Sequence, residues 1–357
     1  MTLDARARSG PPRRRSPGTR PPPAAGWLAV PAAALLATLL GVWASTPPPV
    51  PGVPQPSTPI DYAVPVARVL LDLALTAVLG LSLLPLLFSR RDEWELRGVL
   101  RAAYRGALVA SAVWLVAALA SVVLQTAELA PVPGVTAATL ATYITGFAGA
   151  QALLASAAAA LLAGVLAAVG TRSTSQLPSR LLVIAAGLGL LPLLATGHSG
   201  ALSERWHDLT MVSLELHVFA ATAWTGGLAA LAGLLLARPP LLARALPRFS
   251  QLAGLCLATV AATGVLNALV ELATTPGAQL PSALLTSHYG QLVLAKTGCL
   301  AVLGGCGAHI RFRLLPSVAL GRRTALAGWL ATELAVMGMA FGLAVVLSRT
   351  GVLNTGG

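Results

Sequence analysis

The sequence is poor in charge: only 10% of its 357 residues are Asp, Glu, Lys or Arg, against about 25% in soluble domains. That shortage excludes a string of water-soluble domains. Cysteine is scarce as well. Cys256, Cys299 and Cys306 all fall in apolar stretches with no C-x-x-C pair, and an odd count in such segments builds no disulfide framework. They read as small buried hydrophobes, with soft metal ligation as the alternative. Alternating ten-residue segments are missing, which argues against an outer-membrane barrel. There is no Walker-type phosphate loop, no HExxH and no hydrolase-like triad. Intrinsic ATP-driven pumping and the common hydrolytic chemistries therefore have no residues to run on, and no enzymatic activity is expected.

What the chain does contain is apolar length. Hydrophobic residues make up 56% of it and the mean hydropathy is +0.77. Apolar runs of about 20 residues match the thickness of a hydrocarbon core at 1.5 Å of rise per residue. Nine spans are expected, at 25–43, 63–88, 106–126, 149–169, 180–197, 209–236, 251–272, 289–310 and 328–348. The stretch 131–147 is more polar and proline-led, and reads as an external loop with a short interfacial helix. The fold class is all-α, a polytopic transmembrane bundle embedded in the lipid bilayer.

The formal net charge of +12 raises the question of nucleic acid, but the arginines sit in short gaps between spans, where membrane topology needs them. Twenty of the 24 basic residues lie in the N-terminal tail, 89–105, 171–180, 237–248 and 311–323. The opposite ends carry only Arg205 and Arg349, while Arg68 and Lys296 fall inside spans. This bias places the N-terminus in the cytoplasm and, after nine spans, the C-terminus outside. The Arg- and Pro-rich residues 1–24 read as a disordered cytoplasmic tail, followed by an uncleaved first span. The segment 90–106 reads as an amphipathic connection on the membrane surface.

With that direction set, four of the five histidines fall toward the outside. His198 ends the fifth span, His207 sits in the following loop, and His288 precedes the eighth span. His217 lies within the sixth span among Leu, Val, Phe and Ala, about 12–14 Å from its outer end. A polar side chain there is costly and reads as functional by default. The short gap between spans five and six makes them antiparallel neighbours, which brings His198 and His217 into range. Imidazole suits copper or haem iron, and thioether suits Cu(I). Met211 and Glu215 are four apart, whereas Met211 and His217 are six apart and occupy different faces. Any metal site must therefore be assembled between helices. Arg68 and Asp72, at i and i+4, form an intramembrane pair. Asn267, Lys296 and Glu333 are further polar groups inside spans. His309, beside Arg311 and Arg313, reads as a loop-proximal residue. Trp224-Thr225-Gly226-Gly227 and the Gly338/Gly342 pair read as helix-packing surfaces.

Several stretches resemble the copper resistance protein D family of bacterial membrane proteins. They are GHSG at 197–200, LELHVFAATAWTGGLAAL at 214–231, RFSQLAGLCLATVAATGVLNAL at 248–269, YGQLVLAKTGCLAVLG at 289–304, and Glu333 to Gly338. The resemblance implies a bacterial plasma-membrane location and copper passage, with His198 and His217 as family histidines and Lys296 as the family lysine. It divides the chain into the tail 1–24, four membrane helices over 25–179 and a five-span copper resistance D-like unit over 180–350. The expected function is copper transport or handling, of importer type, with His207, Met211, Glu215 and His288 as secondary metal ligands. No soluble copper module and no Met-rich loop accompany the bundle, so an extracytoplasmic copper-binding protein is an expected partner. Nucleic acid is not. Two other readings compete: a haem-bearing electron carrier using His198 and His217 as axial ligands, and a non-transporting copper sensor or assembly factor.

Overall fold

The computed structural model describes residues 25–45, 56–89, 93–132, 134–172, 177–194, 204–274, 282–314 and 326–349. All regular structure among them is helical. The helices are α1 (Ala25–Ser45), α2 (Thr58–Leu83), α3 (Glu93–Leu129), α4 (Ala137–Gly146), α5 (Ala148–Gly170), α6 (Leu177–Leu194), α7 (Glu204–Leu235), α8 (Pro239–Thr274), α9 (Ser282–Thr286), α10 (His288–His309) and α11 (Leu326–Leu347). Seven of these are long and apolar enough to cross a membrane: α2, α3, α5, α7, α8, α10 and α11. The expected spans 25–43 and 180–197 fall on two shorter apolar helices, Ala29–Ala44 and Leu177–Pro192. The chain is a multi-spanning helical membrane bundle.

α2 and α7 form its centre. In each, 61% of the most apolar stretch is buried, against 11% in α8, whose outer face meets the surroundings. The two central helices touch backbone to backbone. A Cβ on Gly226 would collide with the carbonyl oxygen of Thr76, and one on Gly80 with the Gly226 carbonyl. Only glycine permits that approach, the small-residue packing expected where lipid supplies no hydrophobic drive between helices. Gly338 and Gly342 do the same for α11, lying against the carbonyls of Val30 and Ala34 on α1. The expected packing surfaces are thus in use.

Two helices begin earlier than the hydropathy pattern indicates. The segment 90–106 is not a separate surface connection: α3 runs unbroken from Glu93 for 37 residues, because Glu, Leu, Arg and Ala there are good helix formers and no proline interrupts them. α8 likewise starts at Pro239, since proline is tolerated in a first helical turn. The two extensions are tied together at the arginine-rich end of the bundle. Arg244 reaches Glu95 at 2.9 Å, and Arg248 donates to the carbonyl of Leu87. At the opposite end Arg349 pairs with Glu128. The polar segment before α5 contains the short helix α4, opened by a capping box in which Thr136 and Thr139 satisfy each other's backbone N–H groups.

Helices α6 and α7 do touch, with Gly187 against Phe219. The main partners of α7 are nevertheless α8 and α2. The three-residue turn at 236–238 folds α7 and α8 into an antiparallel hairpin, and this hairpin positions the site.

Candidate functional site

His217 is buried on α7, 9% exposed, and its ring faces α8. Nδ1 lies 3.0 Å from the hydroxyl oxygen of Thr263. That hydroxyl has a single proton, and it goes to the carbonyl of Thr259 at 2.5 Å. The Thr263 oxygen is therefore an acceptor toward the ring, so Nδ1 carries the imidazole proton. In neutral imidazole the other nitrogen is then a lone-pair donor. The hydrogen bond this ring makes is at Nδ1, so Nε2 is the nitrogen with a lone pair to offer a cation. Gly264 lets the ring lie flat on α8: a Cβ there would sit 3.3 Å from Cε1 of His217. A hydroxyl held in this way fixes the tautomer and orientation of the ring, a support that metal-ligating histidines commonly have.

Along the α7–α8 hairpin the buried polar groups are incompletely satisfied. Ser213 Oγ, Asn267 Oδ1 and Trp224 Nε1 are buried without hydrogen-bond partners. Lys296, half-buried on α10, is near enough for its charge to act on His217. Toward the arginine-rich end, Glu333 is 3% exposed on α11. The indole of Trp224 faces its carboxylate, although Nε1 falls short of hydrogen-bond geometry, and Cys306 is close enough to sense its charge. Lys296 and Glu333 form no ion pair among the described residues; each serves a different level of the bundle.

The other expected site residues are dispersed. Met211 and Glu215 are half-buried on α7, and His288 is half-buried at the start of α10, where Ser287 caps the helix by accepting from Gly290 N at 3.0 Å. His198 lies outside the described residues. His207 is on the first turns of α7, and its side chain lies outside them too. Among the described residues no three His, Cys, Asp or Glu side chains gather into a group fit to hold a metal ion. Arg68 and Asp72 pair on α2, with Nε 3.2 Å from both carboxylate oxygens. His309 stacks on Trp329 with ring centroids 4.3 Å apart. All three cysteines are free.

Thr259, Thr263 and Ser213 were not singled out from the sequence, although a signal was present. Thr259, Thr263 and Asn267 recur every four residues through an apolar span, as do Ser213 and His217. That spacing puts each set on one helix face.

Residues 59–208 match the copper resistance protein D-like N-terminal domain, and residues 243–347 match copper resistance protein D. The chain belongs to the copper resistance protein D family. No curated protein and no solved structure matches it. Thr263, Asn267, Lys296 and Glu333 fall inside the second matched region, and α2 through α6 inside the first. Most of α7, with Ser213, His217 and Trp224, lies between the two. Membership of this family, together with seven long apolar helices, makes the chain a multi-pass inner-membrane protein. It supports a copper-related role in membrane transport.

Proposed function

We propose that this chain carries copper inward across the plasma membrane through a site centred on His217 Nε2. One observation carries the reading: an imidazole deep in the bundle is locked by Thr263 into the tautomer that leaves Nε2 available, in a chain of the copper resistance protein D family. The bundle crosses nine times, with α1 and α6 completing the set. Its N-terminus is cytoplasmic and its C-terminus outside, the orientation that arginine placement favours. The functional division falls near residue 180, with four supporting spans before it and the copper-handling spans after it.

On this orientation Ser213, His217, Asn267 and Lys296 lie in the outer half of the bundle, and Glu333 with Cys306 in the inner half. His198 joins His217 as a principal ligand, and His207, Met211, Glu215 and His288 collect copper at the mouth, received from an extracytoplasmic copper-binding protein. Transport needs several weak stations, since a closed four-ligand site would trap the ion. The absence of a ready-made ligand cluster among the described residues suits passage better than storage.

The test is copper accumulation by proteoliposomes carrying the purified protein, wild type against His217→Ala and His198→Ala. Uptake is expected to fall on the order of 10-fold or more in each variant, the scale on which loss of metal-site residues is felt. Accumulation equal to wild type in the double variant overturns the assignment.

A further inference from the structure

Outside the imidazole, the α7–α8 hairpin carries a second pair of open valences. The register of the two antiparallel helices is pinned where His217 Nδ1 meets Thr263 Oγ1 at 3.0 Å. One turn further from the connecting turn means four residues back on α7 and four forward on α8. That step brings Ser213 level with Asn267. Both have a buried polar atom with no partner, Ser213 Oγ and Asn267 Oδ1. Ser213 is 4% exposed.

Outside the hairpin, Ser111 Oγ is the one other buried hydroxyl without a partner among the described residues. Ser82, Ser121 and Thr126, equally buried, each return their hydroxyl proton to the carbonyl four residues earlier, at 2.6, 2.8 and 2.8 Å. A hydroxyl and an amide oxygen left open at one level of an apolar hairpin bear the whole cost of desolvation unless a guest fills the gap.

We propose that Ser213 Oγ and Asn267 Oδ1 form an oxygen station for a partly hydrated copper ion, about one helical turn, or 5 Å, outward of His217. The proposal rests on His217 being the copper ligand. Neutral oxygens replace water of hydration without holding a copper ion tightly, and the imidazole nitrogen one turn deeper binds it better. A weak station followed by a stronger one draws the ion inward. The station governs capture, and His217 governs passage.

The test uses full-length protein in vesicles of bacterial phospholipid, with uptake of Cu(II), the oxidation state that neutral oxygens and imidazole both bind, measured over a range of buffered free concentrations. In the Ser213→Ala/Asn267→Leu double variant the KM for Cu(II) is expected to rise on the order of 10-fold, the low end of the range for lost metal-supporting residues, while the maximal rate stays near wild type. His217→Ala, run beside it, is expected to lose the maximal rate. An unchanged KM in the double variant, with His217→Ala inactive, means that the gap holds a structural water only; it overturns the station and leaves the reading of His217 standing. Wild-type transport by His217→Ala overturns both. If the double variant does not reach the membrane, Asn267→Asp keeps the oxygen and adds a charge. It is expected to lower the KM, and an unchanged value there overturns the station equally.

Discussion

The helices α3, α5 and α6 and the hairpin α7–α8 are both apolar and both carry buried polar side chains, yet they treat those side chains differently. In the first group Trp114 donates its indole proton to Ser156 at 3.0 Å, and Tyr104 meets Ser179 at 2.9 Å. Ser121 and Thr126 bond back to their own helix. Ser111 is the exception. In the hairpin, Ser213 and Asn267 are left open, two of the four unpartnered buried polar atoms among the described residues, and a third, Trp224 Nε1, faces the Glu333 carboxylate without closing a hydrogen bond. Closed polar pairs hold helices together where lipid offers no hydrophobic drive. Open ones cost stability and persist where a ligand, ion or water completes them. The contrast sets a region of closed polar pairs apart from the hairpin through which the proposed copper path runs.

The largest effect is expected where the hairpin meets the central helix α2. Gly226→Val places side-chain atoms on the Thr76 carbonyl, a backbone group that cannot swing aside. The cost is about 3 kcal/mol or more, at the upper end for overpacking. Thermal unfolding of the detergent-purified variant, followed by size-exclusion chromatography, reads it. A variant as stable and monodisperse as wild type would mean that α2 and α7 are not in backbone contact and that the hairpin moves freely against the centre of the bundle.

Within the hairpin, Thr263→Val keeps the shape of the side chain and removes the oxygen that fixes His217. Copper uptake is expected to fall by about 10–100-fold, the usual price of losing a group that orients a metal-binding histidine. Thr263→Ser restores the oxygen and should recover most of the rate. If the Val variant transports like wild type, the tautomer of His217 has no bearing on transport and the copper path lies elsewhere.

The difference between the regions also explains how much could be read in advance. Apolar length and arginine placement disclosed the helical membrane bundle, because a span must satisfy its own backbone over a fixed thickness. The Gly338/Gly342 pair and Gly226 were legible as packing surfaces because only small residues allow such approach. Helix starts at Glu93 and Pro239 were not, since charged residues can continue a helix beyond the membrane without any change in hydropathy. His217 stood out as an imidazole among aliphatic residues. Its dependence on Thr263 was hidden, because a threonine in an apolar span usually bonds back to its own helix, as Thr126 does. Only the register of α7 on α8 shows that Thr263 does this and also accepts from a histidine. The same register pairs Ser213 with Asn267, two residues 54 positions apart in the chain.

The smallest effect tests the region of closed polar pairs. Trp114→Phe removes the indole donor to Ser156 and part of a fully buried ring. Loss of one buried hydrogen bond and a modest volume predicts a cost of about 2 kcal/mol, seen as a lower unfolding temperature in detergent. Copper uptake per folded molecule should stay within about twofold of wild type, because α3 and α5 contribute packing and no open valence apart from Ser111. A fall in uptake as large as that from Thr263→Val, at full occupancy of the membrane, would show that satisfied polar pairs also take part in transport. The division between closed and open polar groups would then no longer mark where the ion passes.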